Sequence, residues 1–256
     1  MNALSNRFSL EGKIAVVTGA SRGLGVTICE TLSAAGADIV AVARDEALLE
    51  ETRTRVTANG RECLALAADL LDAEAAEAVT ARIRSTLGDA TILVNNAGMS
   101  IPRSLTEQSV EEWDSILNLN LRAPWLMARA LAPGMIAAKA GKIINISSMA
   151  SGVALVDHGP YVASKAGLNG LTKVMTAEWA QHNIQANAVC PTVVWTPMGE
   201  RVWGEGDKLQ RFLEKIPAGR VATPQEVADL VLYLAAPASG MINGQEIFVD
   251  GGYTAL

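Results

Sequence analysis

Short apolar runs alternate along the chain with longer segments in which apolar and polar positions mix at helical spacing. The runs are KIAVVT (13–18), DIVAVA (38–43), CLALAA (63–68), TILVN (91–95), KIINIS (142–147), IQANAVC (184–190) and EIFVD (246–250). Most are almost continuously apolar, the pattern of parallel strands covered on both faces. The segments between them have helical length, for example GVTICETLSAAG and AEAAEAVTARIRSTLG. This alternation predicts an α/β fold: an open, doubly wound, seven-stranded parallel sheet with helices on both faces. No Pro/Gly/Ser-rich linker, repeat or low-complexity tract interrupts the series, so residues 1–256 read as a single domain. The irregular insertion is 192–222, rich in Trp, Gly and charge, and 192–216 within it reads as a mobile flap.

Half of the residues are hydrophobic and 19% are charged, which supplies ample apolar surface for a core. A formal charge of −6 argues against nucleic acid or an anionic membrane as main partner. No apolar run is long enough to span a bilayer. The opening MNALSNRFSLEG lacks the charged and apolar regions of a signal peptide, so a cytoplasmic location is expected. Cys29, Cys63 and Cys190 form no CxxC pair and read as core residues in a reducing compartment. With two histidines and no clustered cysteines, no metal site is expected.

Candidate chemistry lies at four places. VVTGASRGLG follows the first strand, and Gly19, Gly23 and Gly25 permit a tight turn and close backbone approach to a pyrophosphate. The following helix N-terminus offers unpaired N–H groups to an anion, although a plain strand–helix turn also carries glycines. GPYVASKAG sets Tyr161 and Lys165 four residues apart on one helical face, where an ammonium favours phenolate. INISSMAS places Ser147 and Ser148 at the end of a strand. In LNLNLRAPW, Pro124 has no N–H to give the carbonyl of Asn120, which predicts either a structural kink or a free acceptor.

The spacing G-x-x-x-G-x-G at 19–25, NNAG at 95–98, Tyr161-x-x-x-Lys165 and VDGGYT at 249–254 together resemble the short-chain dehydrogenase/reductase family. The resemblance covers essentially the whole chain. It implies a Rossmann fold and an enzyme that interconverts a ketone and a secondary alcohol with a nicotinamide cofactor. It also implies Asn120, Ser148, Tyr161 and Lys165 as catalytic residues. Tyr161 would donate or accept the proton, and Ser148 rather than Ser147 would hold the substrate oxygen. For the cofactor it implies Gly19, Ser21, Arg22, Gly23, Leu24 and Gly25 at the phosphates, and Asp69 and Leu70 at the adenine. Asn96, Ala97 and Gly98 would pass along the ribose, with Tyr161 and Lys165 beside them. Pro191, Val194 and Thr196 would border the carboxamide. The family usually has Pro-Gly where this chain has Pro191-Thr192, and threonine resists a positive φ.

The second strand ends in Ala43-Arg44, where an acidic residue would favour NAD. Arg44 and Arg22 suit a 2′-phosphate, while Asp45 reads as a helix N-cap. NADP(H) is therefore expected, with NAD(H) possible. His158, Met149 and Trp203 join Ser148 as candidate substrate contacts. The Pro-Thr-Val-Val segment, His158 and Trp203 resemble the dicarbonyl/L-xylulose reductase branch, and polyol and gluconate dehydrogenases share most of these features. A 3-oxoacyl-carrier-protein reductase is a further reading, with Lys139 and His182 where such enzymes carry docking arginines. So are a non-catalytic dinucleotide sensor and a structural oligomer subunit. The resemblance implies a homotetramer in which DGGYTAL and the helices holding Asn120 and Tyr161 meet partners.

Overall fold

The continuously apolar runs form strands. The computed structural model describes residues 3–204 and 206–255. After a short helix α1 (Ala3–Phe8), strands β1 (Ile14–Thr18), β2 (Asp38–Ala43) and β3 (Cys63–Ala67) alternate with helices α2 (Leu24–Ala34) and α3 (Glu46–Ala58). Helix α4 (Ala75–Thr86) leads to β4 (Ile92–Asn95). Helices α5 (Val110–Leu117) and α6 (Ala123–Ala138) are joined by a π-turn, Asn118–Arg122. Then come β5 (Gly141–Ile146), α7 (Gly159–Trp179), β6 (Ile184–Pro191), α8 (Pro197–Trp203), α9 (Lys208–Leu213), α10 (Pro224–Ala235) and β7 (Glu246–Val249). Expected and observed strand limits never differ by more than one residue.

All strand pairs are parallel, in the order β3-β2-β1-β4-β5-β6-β7. The direction of winding reverses between β1 and β4, and a crevice opens there at the carboxyl ends of the strands. Strand alternation sorts the core into two layers. Ala15 and Val17 join Ile28, Leu32, Val231 and Leu234 under α2 and α10. Val16 and Leu93 face the other way, onto Ile83, Met127, Met135 and Met175 of α4, α6 and α7.

Helix starts follow local chemistry. The Asp45 carboxylate accepts from Leu48 N at 3.1 Å, the expected N-cap of α3. Ser109 with Glu112, and Thr223 with Glu226, close capping boxes on α5 and α10. The insertion expected to be irregular contains two short helices. Thr196 caps α8 and Pro197 opens it, and beneath both helices lie Met149, Val193, Phe212 and Ile216. Cys29 and Cys190 are buried and Cys63 is half-buried, all as free thiols. Burial pushes each thiol up, Cys63 to about 11. Among the described residues no helix is long and apolar enough to cross a membrane, and no three His, Cys, Asp or Glu cluster as metal ligands.

Candidate active site

The glycine loop lies at the carboxyl end of β1, at the winding reversal. Gly19 has φ +66°, and a Cβ there would stand 2.9 Å from Ala97 Cα. A Cβ on Gly25 would stand within 2.2 Å of the Gly19 carbonyl oxygen. The close approach is fixed from the neighbouring strand: Asn96 Nδ2 donates to the carbonyls of Thr18 (2.9 Å) and Gly19 (3.2 Å). Thr18 Oγ1 accepts from the N–H groups of both Asn96 and Ala97 at 3.0 Å. Helix α2 begins at Gly23 with no side-chain cap and no acid in its first turn. Its first N–H groups are thus left for an anion, which fits a pyrophosphate. Ser21 and Leu24 flank the turn, both half-buried.

Arg22, within the loop, and Arg44, just past β2, are both exposed. Arg22 lies 3.9 Å from the Asp45 carboxylate, an exposed pairing that contributes little. Arg44 forms no ion pair among the described residues. Beyond β3, Leu70 is buried and Asp69 exposed. Past β6, Thr192 keeps an ordinary negative φ and its N–H donates to Val249 O at 3.1 Å. The Pro-Thr replacement therefore leaves the backbone path unstrained, contrary to the expectation from threonine's preferences. Val194 and Thr196 continue this path, and a Cβ on Gly23 would stand 3.2 Å from Thr196 Cβ. The root of the insertion thus adjoins the glycine loop.

Asn120 is fully buried within the π-turn. The helix continues through Pro124 after widening by one residue, with Ala123 N donating to Asn118 O. Asn120 Oδ1 accepts from Met99 N at 2.8 Å, while Nδ2 donates to Met99 O (2.9 Å) and Ser164 Oγ (3.1 Å). A Cβ on Gly98 would stand 3.3 Å from Asn120 Oδ1 and 3.5 Å from Lys165 Nζ. The Asn96-Ala97-Gly98 segment therefore runs directly over both side chains.

Lys165 is buried, and its Nζ donates to Ile146 O at 2.7 Å. It lies 5.7 Å from the centre of the Tyr161 ring. Burial lowers the ammonium to about 8. Burial likewise raises the Tyr161 phenol, offset in part by a hydrogen bond with Ser148. The expected lowering of Tyr161 by Lys165 is not what the protein shows: desolvation dominates, and Lys165 donates to a carbonyl and not to the phenol. Ser148 Oγ accepts from Ala150 N at 3.1 Å, which leaves its own O–H free to donate. Ser147 instead donates to Lys165 O at 3.2 Å and so ties β5 to α7.

His158 precedes α7 and is 7% exposed. Its Nδ1 lies 2.7 Å from Val156 O, and a carbonyl can only accept. Nδ1 therefore carries a proton and donates it, and Nε2 is the ring nitrogen left for another partner. The ring stacks on Trp203 (6.2 Å, 10°) and meets Tyr161 edge-on (6.2 Å). Met149 is buried in the apolar cluster beneath the insertion, beside Tyr161 and Trp203.

Two features escaped the sequence. Thr18 anchors the loop, and its only linear signal is a hydroxyl at a strand end before the glycines. A buried chain runs from Asn95 Nδ2 to Asn145 Oδ1 (2.8 Å), and from Asn145 Nδ2 to Thr172 Oγ1 (2.8 Å). It joins β4, β5 and α7 under the site and depends on strand register.

The family model described as enoyl-(acyl carrier protein) reductase matches residues 19–254. The chain is 41% identical to the 2-dehydro-3-deoxy-D-gluconate 5-dehydrogenase of Escherichia coli, over 97% of this chain and 98% of that protein. It is 40% identical to the L-xylulose reductase of Bos taurus (96% and 98% covered). It is 38% identical to the NAD-dependent glycerol dehydrogenase of Listeria innocua (96% of each). Among solved structures, a gluconate 5-dehydrogenase from Burkholderia cenocepacia in complex with NADP and tartrate superposes with a TM-score of 0.94. That structure is 34% identical, with 99% of each chain covered. On these grounds the chain belongs to the short-chain dehydrogenase/reductase family and is an oxidoreductase that works with a nicotinamide nucleotide.

Proposed function

We propose that the protein interconverts a ketone and a secondary alcohol on a small polyhydroxylated substrate, such as a sugar, polyol or sugar acid, using NADP(H). The observation that carries this reading is the convergence of Ser148, Tyr161, Lys165 and Asn120 beside His158 and Trp203. Gly19, Gly23, Gly25 and the α2 N-terminus would hold the pyrophosphate. Asn96 to Gly98, Lys165, Val194 and Thr196 would hold the nicotinamide half. When bound, the nicotinamide supplies or accepts the hydride and, oxidised, adds a positive charge.

The chain's own residues manage the proton and the orientation. Tyr161 O–H donates to the carbonyl oxygen in reduction and its phenolate accepts in oxidation. Ser148 donates to the same oxygen and stabilises charge developing there. The buried Lys165 ammonium favours phenolate, and Asn120 fixes the Met99 segment above it. His158 Nε2 would accept from a substrate hydroxyl, with the Trp203 ring as an apolar wall.

Arg22 and Arg44 support NADP(H), because a 2′-phosphate beside them would gain charge-assisted hydrogen bonds. The names of the similar proteins lean both ways: one solved structure holds NADP, and the glycerol dehydrogenase is called NAD-dependent. A carrier-protein substrate fits less well. Lys139 and His182 precede β5 and β6, at the amino ends of the strands, whereas Ser148 and Pro191 lie at the carboxyl ends.

The test is a screen of the purified protein against ketoses, polyols, sugar acids and diketones with both nucleotides. Turnover of polyhydroxylated substrates with NADP(H) is expected. Tight nucleotide binding with no turnover of any of them would favour the sensor instead. Failure to bind either nucleotide would leave only a structural role.

A further inference from the structure

Arg122 closes the π-turn two residues after Asn120, and nothing above uses it. Its guanidinium reaches the turn that follows β3, where Nη2 donates to the Leu71 carbonyl at 2.6 Å. Arg122 is half-buried, forms no ion pair among the described residues, and its Nε is buried without a partner. A partly buried guanidinium without a carboxylate is held by the hydrogen bonds that it makes. Here the assigned bond goes to a carbonyl on another element.

The acceptor's position gives that bond a purpose. Strand β3 is an edge strand, paired with β2 alone, so the turn after it has few tethers. The other hydrogen bonds of residues 69–74 are local. Asp69 Oδ1 accepts from Leu71 N (3.1 Å), Asp69 O from Asp72 N (3.0 Å), and Asp72 Oδ1 from Glu74 N (3.0 Å). Among the described residues, the Arg122 bond is therefore the one hydrogen bond that ties this turn to any element other than α4, which directly follows it. The other end of the strut is rigid, because Asn120 is clamped by both backbone groups of Met99 and by Ser164.

We propose that Arg122 is a positioning residue for the adenine end of the cofactor. It holds Asp69 and Leu70 at a fixed distance from the turn carrying Asn120, so that one dinucleotide can reach both. Arg122 touches neither substrate nor reacting atoms; it acts through Leu71. The proposal rests on the cofactor reading above. Leu70 also packs in the same apolar cluster as Ala123 and Leu126, so loss of the strut should loosen the turn without unfolding it.

The experiment divides the cofactor into its halves. Adenosine 2′,5′-bisphosphate carries the adenine end, and reduced nicotinamide mononucleotide carries the hydride end. Arg122→Met should weaken calorimetric affinity for the bisphosphate, and raise KM for NADPH, about tenfold, the scale of one charge-assisted hydrogen bond. Turnover with the mononucleotide, and kcat at saturating NADPH, should stay within about twofold. Arg122→Lys should recover part of the affinity, since it keeps a cationic donor but loses the planar fork. Unchanged affinity for the bisphosphate would overturn the proposal. So would mononucleotide turnover falling in step with NADPH turnover, which would mark a role at Asn120 or in the fold. Should Arg122→Met not fold, Arg122→Lys is read by the same criteria. A wild-type protein that binds neither the bisphosphate nor NADPH would instead overturn the cofactor reading, before any variant is made.

Discussion

Tyr161 sits under opposing influences: burial holds its phenol neutral, while the hydrogen bond with Ser148 favours the charged form. Tyr161→Phe removes the transferable proton and leaves the ring's packing. Activity should fall by about 10²–10⁴-fold while calorimetric affinity for NADPH is nearly retained. Near-normal turnover would contradict the assignment. Arg44→Ala should weaken NADPH far more than NADH, and equal loss for both nucleotides would reject a 2′-phosphate clamp. Lys165 gives a pH test. Its ammonium titrates at about 8 in the folded chain, below its usual 10.5. Between those values the unfolded chain holds the extra proton, so the Lys165 contribution to stability rises with pH across that window. Lys165→Met should therefore melt above the wild type at pH 7, with the gap closing towards pH 10. A gap independent of pH would show that the buried ammonium is not destabilising. At this scale the sequence offered candidate residues but not their energetics. The i, i+4 pair was legible; that Lys165 turns to Ile146 O was not, because that carbonyl lies on another element.

Elements were legible where hydrophobicity had a period. The strands stood out because parallel strands are apolar on both faces, and α3 because Asp45 caps it. The π-turn was half legible: Pro124 announced a missing donor, but widening and kinking answer that loss equally well on paper. Helices α8 and α9 were missed because the segment mixes Trp, Gly and charge without a clear stripe, although Thr196-Pro197 is a fair start signal. Their packing explains how such a segment can cover a site. Trp203 lies between His158 (6.2 Å) and Phe212 (4.5 Å), and Phe212 stacks on Tyr253 (5.0 Å). Gly206 stands between the two helices at φ +62° with nothing near it, a suitable pivot. Amide exchange across 192–216 should slow when NADPH and substrate bind. Strong, unchanged protection in both states would make the insertion a fixed wall. Trp203→Ala should raise KM and shift preference among ketones, with NADPH affinity nearly unaltered.

Taken whole, the molecule leaves several large apolar side chains exposed, and two groups of them bear on assembly. Val110 and Trp113 on α5, Trp125 on α6 and Val174 on α7 lie on the helices that hold Asn120 and Tyr161. Met241 and Phe248 lie by the last strand. These surfaces suit a homotetramer built on two kinds of contact, and light scattering should give about four times the 26.9 kDa chain. A monomer at micromolar concentration would contradict it. The site itself was legible as a set of motifs, but the buried Asn95–Asn145–Thr172 chain and the Arg122 strut join residues dozens of positions apart and follow from strand order alone. That order also bears on how the chain is made. Ala15 of β1 pairs on one side with Ile39, available early in synthesis, and on the other with Ile92. Until the ribosome has released β4, the strand carrying the glycine loop keeps one edge unpaired, and its residues before Thr18 are all apolar. Nascent chains stalled before that point would be the ones that chaperones must shield.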